Sequence, residues 1–197
     1  ALAGFESTFM ALTAELHRVA LAVTETITAS LGAQLPTQEA FEEHSSFLRI
    51  NYYPLFDDAS AGSELDRSFG IHPHTDAGAV TVLCQDEVAS LQVHRGGQWE
   101  TITKPKDALI INIGDIVQVW SNDRFTAPVH RVLARSDRTR FSIPYFLNPS
   151  YNYTYAPLAH EGHRYKPINW GEFRSQRSAG DYADLGDEIQ ISDFRIA

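Results

Sequence analysis

From Phe47 to Leu147 the chain reads as a succession of short β-rich runs punctuated by turn residues, with no helical stretch between them. The runs are Phe47–Tyr53, Ala79–Gln85, Ser90–Arg95, Gln98–Thr101, Ala108–Ile113, Ile116–Trp120, Ala127–Leu133 and Thr139–Leu147. Gly96-Gly97 between two of them signals a tight hairpin, and Gly114-Asp115 and Ser121-Asn122-Asp123 mark further turns. Parallel strands need a crossover, usually helical, between them. The pattern therefore argues against a parallel α/β sheet and predicts a sandwich or jelly roll.

The flanks are different. Phe5, Phe9, Leu12, Leu16, Val19, Val23, Ile27 and Leu31 recur at three- or four-residue spacing, with Glu6, Glu15, Arg18 and Thr24 off that stripe. This predicts one long helix that packs a single face and stops at Gly32. Glu15, His17 and Arg18 break the uninterrupted apolar core that a signal peptide needs. The tail from Trp170 is polar and mixed, which predicts one or two short helices with a loop at Gly180–Gly186 between them. There is no internal repeat. Residues 1–197 are read as a single domain with a jelly-roll core at about 45–150. The chain opens on Ala1 with Met10 its only methionine, so a fragment or a processed form is expected.

Charge and cysteine usage narrow the function classes. Acidic residues outnumber basic ones 25 to 16, giving a formal charge of −9. Such a field repels nucleic acid and anionic membranes, while leaving room for one local basic pocket. No run approaches the roughly 20 apolar residues that span a bilayer. A single cysteine, Cys84, excludes an internal disulfide framework and suits a reducing compartment; with no targeting segment visible, a cytoplasmic location is expected. In its apolar run Cys84 reads as a small buried hydrophobe.

The chemistry concentrates at Ile71-His72-Pro73-His74-Thr75-Asp76. In extended backbone, residues i and i+2 share a face, so His74 and Asp76 can converge on one point. His130, in a later strand, is the natural third donor. Two histidines and one carboxylate on one face of a metal are the donor set of non-heme Fe(II) oxygenases. Ten residues on, Arg140 and Ser142 fall on one strand face, together with Pro144 and Phe146. A planar guanidinium beside a hydroxyl makes a good carboxylate receptor. The residues alone leave a second reading open, in which Arg140 is an outward surface residue grouped with Arg135 and Arg138. His72 is either a supporting partner or a solvent-facing residue at the pocket mouth. His160-Glu161-Gly162-His163 has i,i+3 spacing, unsuited to a two-histidine zinc helix, and reads as a polar loop. Tyr151, Tyr153 and Tyr155 alternate as an aromatic face, packed on the rim or stacked on a ligand.

Taken together, these elements resemble the 2-oxoglutarate and Fe(II)-dependent dioxygenases, in the branch related to isopenicillin N synthase. The matching features are His74-Thr75-Asp76, His130 located 54 residues after the aspartate, Arg140-x-Ser142, Asn51-Tyr52-Tyr53-Pro54 and the Gly114-Asp115 turn. The tail from Trp170 to Asp184 resembles that of some microbial and fungal members, among them ethylene-forming and pyrimidine-hydroxylating enzymes.

The resemblance implies a mainly β, double-stranded β-helix (jelly roll) with a long N-terminal helix and short C-terminal helices. It implies Fe(II) held by His74, Asp76 and His130, with 2-oxoglutarate as cosubstrate bound by Arg140 and Ser142 and helped by Tyr53 and Asn51, and O2 as oxidant. The implied reaction oxidises an unactivated C–H bond of a small organic metabolite by hydroxylation, desaturation or cyclisation, releasing succinate and CO2. Two alternatives stand beside it: a 2-oxoglutarate-independent Fe(II) oxidase of the isopenicillin N synthase or ethylene-producing type, and a catalytically silent jelly-roll binding module. The upstream segment that adds strands and covers part of the substrate pocket in family members is expected to be absent here. Phe69, Phe146 and Trp120 are candidates for an apolar pocket lining, and the expected partner is a small molecule rather than nucleic acid or membrane.

Overall fold

The computed structural model describes residues 2–33, 37–55, 69–135, 137–158, 162–183 and 188–196. Helix α1 runs from Phe5 to Ser30 and ends as its stripe predicts, with Gly32 left-handed at φ 73°. Its buried positions are Leu16, Ala20, Thr24 and Thr28, four residues apart, so Thr24 lies on the packed face rather than off it. Its hydroxyl is accommodated because it donates to the Ala20 carbonyl at 2.8 Å, leaving no unsatisfied group. A short helix α2, Thr37–Phe41, follows.

Two antiparallel sheets form the body. The larger contains β1 (Phe47–Leu48), β2 (Asn51–Tyr53), β4 (Val80–Gln85), β7 (Ile110–Ile113) and β9 (Arg140–Leu147), ordered β1-β9-β4-β7 with β2 also on β9. The smaller is β3 (Phe69–His74), β8 (His130–Leu133), β5 (Leu91–Arg95) and β6 (Gln98–Thr101), in the order β3-β8-β5-β6. Gly96 and Gly97 make the β5–β6 hairpin, both at positive φ as a two-residue turn of this hand requires. Strand alternation divides the larger sheet. Val80, Val82, Tyr145 and Leu147 face outward into a core shared with Leu16, Ala20, Ile116 and Val119, whereas Thr81, Leu83, Arg140, Ser142, Pro144 and Phe146 face the space between the sheets.

Three local expectations are corrected. Ile116–Trp120 is not a strand: Asp115–Trp120 forms the helix α3, with Ile116, Val117, Val119 and Trp120 all buried. A short apolar run fits a buried strand or a buried helical turn equally well, and here tertiary packing decides. Trp120 consequently lies in the core edge-on to Phe41, not in a pocket lining. The strand β3, hidden in the sequence by Gly70 and Pro73, exists as an edge strand paired among the described residues only to β8, where a proline costs no ladder bond. Finally, α4 continues through Gly180 from Trp170 to Ala183, and a 3-10 turn at Ile191–Phe194 closes the described tail. Between β9 and α4 lie two short paired strands, β10 (Thr154–Tyr155) and β11 (Ile168–Asn169). Of the alternating tyrosines, Tyr153 and Tyr155 are buried in the core and Tyr151 is exposed. His160 and Glu161 lie outside the described residues.

Candidate active site

The cavity between the sheets, about 380 Å³, is lined by both. At one end His74 closes β3 and His130 opens β8, and the register of that pair sets them side by side. Two residues past His74 the chain turns inward and delivers Asp76. Ligand atoms of the three lie within 4.8 Å of one another, with Asp76 Oδ1 at 3.7 Å from His74 Nε2 and 3.6 Å from His130 Nε2. The ring centroids are 4.3 Å apart.

Each donor is aimed by a partner behind it. His74 Nδ1 donates to the His72 carbonyl at 2.7 Å and His130 Nδ1 to the Pro128 carbonyl at 3.1 Å. A carbonyl can only accept, so both rings carry a proton on Nδ1, which in a neutral ring leaves Nε2 as the bare nitrogen facing the cavity. Burial first, then the neighbouring His130 ring, lowers the His74 pKa and favours its neutral, ligand-ready form. His72 thus contributes through its backbone while its side chain is exposed, combining both expectations for it. Asp76 is divided between its two oxygens. Oδ2 accepts from Thr81 Oγ1 at 2.6 Å and Asn112 Nδ2 at 2.8 Å, which leaves Oδ1 to face the histidines. Thr81 and Asn112 are register partners on β4 and β7.

The loop that holds Asp76 is clamped from below. The Asp115 N–H, at the start of α3, donates to the Asp76 carbonyl at 2.8 Å. Gly114 is required just before it, because a Cβ there would run into the carbonyls of Gly78 and Asp76. From α4, Arg177 reaches the same loop. Its guanidinium donates to Asp115 Oδ2 (3.0 Å), Gln190 Oε1 (3.0 Å), and the carbonyl (3.1 Å) and hydroxyl (3.3 Å) of Thr75, and its Nε meets Glu188 at 3.1 Å. Burial pushes the Asp115 carboxyl up to about 6 despite the opposing pull of Arg177.

At the other end of the cavity Arg140 is 1% exposed, which settles its two readings in favour of the interior. Its Nη2 donates to Gln85 Oε1 at 2.7 Å and its guanidinium lies 4.8 Å from the centre of the Tyr53 ring. Its Nε and Nη1, both buried, have no hydrogen-bond partner among the described residues. Around it, Ser142 Oγ accepts from Asn51 Nδ2 at 3.3 Å and stands 3.3 Å from Tyr53 Oη, because Asn51 pairs with Ser142 and Tyr53 with Arg140 across β2 and β9. The structure therefore brings together all the candidate residues along one cavity: three donors at one end, an unsaturated buried cation with two hydroxyls and an amide at the other.

Sequence reasoning missed Thr81, Asn112, Gln85 and Arg177. For two of them a signal existed. Thr81, Leu83 and Gln85 share one face of β4, so polar residues at both ends of an inward row point to site contacts. Cys84, on the opposite face, is half-buried and its thiol is pushed up by burial, as suits a packing residue.

Comparison with known proteins agrees with this geometry. Residues 44–149, more than half of the chain, match the 2OG-Fe(II) oxygenase superfamily. Gibberellin 2-beta-dioxygenase 6 of Oryza sativa subsp. japonica is 34% identical over 182 residues, which is 90% of this chain and 49% of the relative. The crystal structure of a full-length Neurospora crassa protein in complex with alpha-KG and thymine superposes with a TM-score of 0.79 at 27% identity, covering 92% of this chain and 58% of that one. That of JOX2 with 2OG, Fe and JA gives 0.76 at 30% identity, covering 88% and 52%. The chain spans about half the length of the curated relatives it matches. The jelly roll, the matched stretch and these relatives together establish that the chain belongs to the 2OG-Fe(II) oxygenase superfamily.

Proposed function

We propose that this chain is the catalytic part of an Fe(II)- and 2-oxoglutarate-dependent dioxygenase that oxidises an unactivated C–H bond of a small organic molecule. The observation that carries the reading is Arg140. A guanidinium 1% exposed, with two nitrogens that have no hydrogen-bond partner among the described residues, is costly unless an anion completes it, and it lies on the same cavity as the His74, Asp76 and His130 cluster.

The residues fit both groups. His74 and His130 would hold Fe(II) through Nε2 and Asp76 through Oδ1, a donor set of nitrogen and oxygen suited to that ion. Arg140 would take the far carboxylate of 2-oxoglutarate, with Ser142, Tyr53 and Asn51 around it. Bound there, Fe(II) with 2-oxoglutarate and O2 supplies the oxidation, with release of succinate and CO2. The chain's own work is orientation. The carbonyls of His72 and Pro128 fix the ring tautomers, Thr81 and Asn112 fix the carboxylate, and Leu83, Leu91 and Val132 keep the cavity wall apolar.

The test is anaerobic optical titration of the Fe(II)-loaded protein with 2-oxoglutarate, in parallel with Arg140→Ala. A visible metal-to-ligand charge-transfer band that weakens in the variant is the expected result. Iron bound without a band moves the chain to the 2-oxoglutarate-independent oxidases. No iron bound overturns the metal assignment.

A further inference from the structure

The side chain of Asp76 is held at both ends, and the two holds come from different parts of the fold. Its Oδ2 is fixed from the larger sheet, by Thr81 at 2.6 Å and Asn112 at 2.8 Å. Its backbone is fixed from the helices. The carbonyl ahead of it, that of Thr75, accepts from Arg177 Nη2 at 3.1 Å, and its own carbonyl accepts from the Asp115 N–H at 2.8 Å. A planar peptide leaves only two soft dihedrals at Asp76, so pinning both flanking peptides sets the direction in which the carboxylate is delivered. That direction depends on α3 and α4, not on the sheet.

Arg177 shares the packed face of α4 with Trp170 and Phe173, and all three are buried. An apolar residue fills such a position at lower cost, so a guanidinium there calls for a reason. Its three nitrogens face five acceptors. Nε meets Glu188 at 3.1 Å, Nη1 donates to Asp115 and Gln190 at 3.0 Å each, and Nη2 donates to the carbonyl and hydroxyl of Thr75 at 3.1 and 3.3 Å. Asp115 and Glu188 neutralise the charge. What remains is one end of the fork, aimed at the residue between two metal donors, His74 and Asp76. On either side of Arg177 the tail is tied down. Trp170 Nε1 donates to Ser45 Oγ at 2.8 Å, and Gln190 leads into the 3-10 turn Ile191–Phe194.

We propose that Arg177 is a positioning residue for the metal: through Thr75 it sets the approach of Asp76, and by the same contact it makes metal occupancy and the docking of α4 one coupled equilibrium. The proposal rests on the metal reading above. The coupling is reciprocal, so whatever a docked α4 adds to metal affinity, bound metal returns to the docking of α4.

Lysine separates this role from mere charge burial. An ammonium has three donors, and the two carboxylates claim them ahead of neutral acceptors, so Arg177→Lys keeps the ion pairs and leaves Thr75 at most one contact. The probe is Co(II), added to the 197-residue chain, because its visible ligand-field bands report donor geometry. In folded Arg177→Lys, Co(II) affinity measured by chelator competition falls about tenfold and the bands shift. Hydrogen exchange gives the reciprocal measurement: Co(II) slows the α4 amides about tenfold in wild type and leaves them unchanged in Arg177→Lys. Thr75→Val removes the hydroxyl acceptor and leaves the ion pairs of Arg177 in place, so it tests the same link should the lysine variant not fold. Its Co(II) affinity falls about threefold, the scale of one hydrogen bond. Wild-type affinity with unshifted bands in either folded variant, or α4 exchange indifferent to bound Co(II) in wild type, overturns the positioning role alone. Failure of wild type to hold Co(II) overturns the metal reading, and this proposal with it.

Discussion

Arg140 and Arg177 are both buried, at 1% and 5% exposure, Arg177 behind the metal-donor loop and Arg140 at the far end of the same cavity. Their surroundings are opposite. Arg177 is saturated by Asp115, Glu188, Gln190 and Thr75, so its charge is neutralised within the fold and its geometry is locked. Arg140 has one neutral hydrogen-bond partner, Gln85, and two nitrogens, Nε and Nη1, orphaned among the described residues. A saturated buried cation is scaffold, because every N–H is committed. An unsaturated one is a receptor, because the fold bears its desolvation cost until a ligand supplies the missing acceptors. Residue type and depth alone do not distinguish the two roles; the inventory of partners does.

The contrast predicts different failures. The largest effect belongs to Arg177→Met, which strands Asp115 and Glu188 without their cation and costs about 3–5 kcal/mol of stability by urea unfolding. Asp115→Asn in the same chain restores part of that loss; full additivity of the two would break the picture of a coupled clamp. Arg140→Leu behaves in the reverse manner. Its urea midpoint stays within about 1 kcal/mol of wild type, while 2-oxoglutarate affinity drops by about 100-fold in the charge-transfer titration. A large loss of stability would show that Arg140 is scaffold after all.

Asp76 repeats the contrast inside one carboxylate, with Oδ2 saturated and Oδ1 open. Thr81→Val or Asn112→Ala frees Oδ2 and weakens metal affinity by about tenfold, measured by competition with a chromogenic chelator. The smallest effect is at Asp123, a carboxylate with both oxygens occupied and remote in role from the cavity. Burial raises its pKa, but hydrogen bonds from Tyr165, Arg195 and Gln118 outweigh that and hold it at about 2, below the ordinary 3.8. A depressed folded pKa adds stability that is complete above the unfolded value and drains away as pH falls from about 4 toward 2. Asp123→Asn removes that component of the acid sensitivity; an unchanged pH profile of the urea midpoint would refute it.

Much of this site is legible in the residues. His74, Asp76, His130, Arg140 and Ser142 combine donor types and spacings that few other chemistries need, and the α1 stripe and the Gly96-Gly97 hairpin follow from period and backbone freedom alone. What escapes is of another kind. Ile116–Trp120 is as good a buried strand as a buried helix until its neighbours are placed, and Thr24 is polar by name yet capable of satisfying itself inside a helix. Arg177 stands 101 residues after Asp76 in a polar tail, and nothing local distinguishes it from Arg174 three positions earlier.

The sequence by itself determined the class of fold and the donor chemistry, because periodicity, turn residues and ligand types are properties of short segments. Only the tertiary structure decided which polar side chains are saturated. Gln85 beside Arg140, Thr81 and Asn112 behind Asp76, and Arg177 beneath Thr75 all depend on strand register and on where a distant helix docks. Hydrogen bonds act over about 3 Å, and that distance is set by packing between elements far apart in the chain.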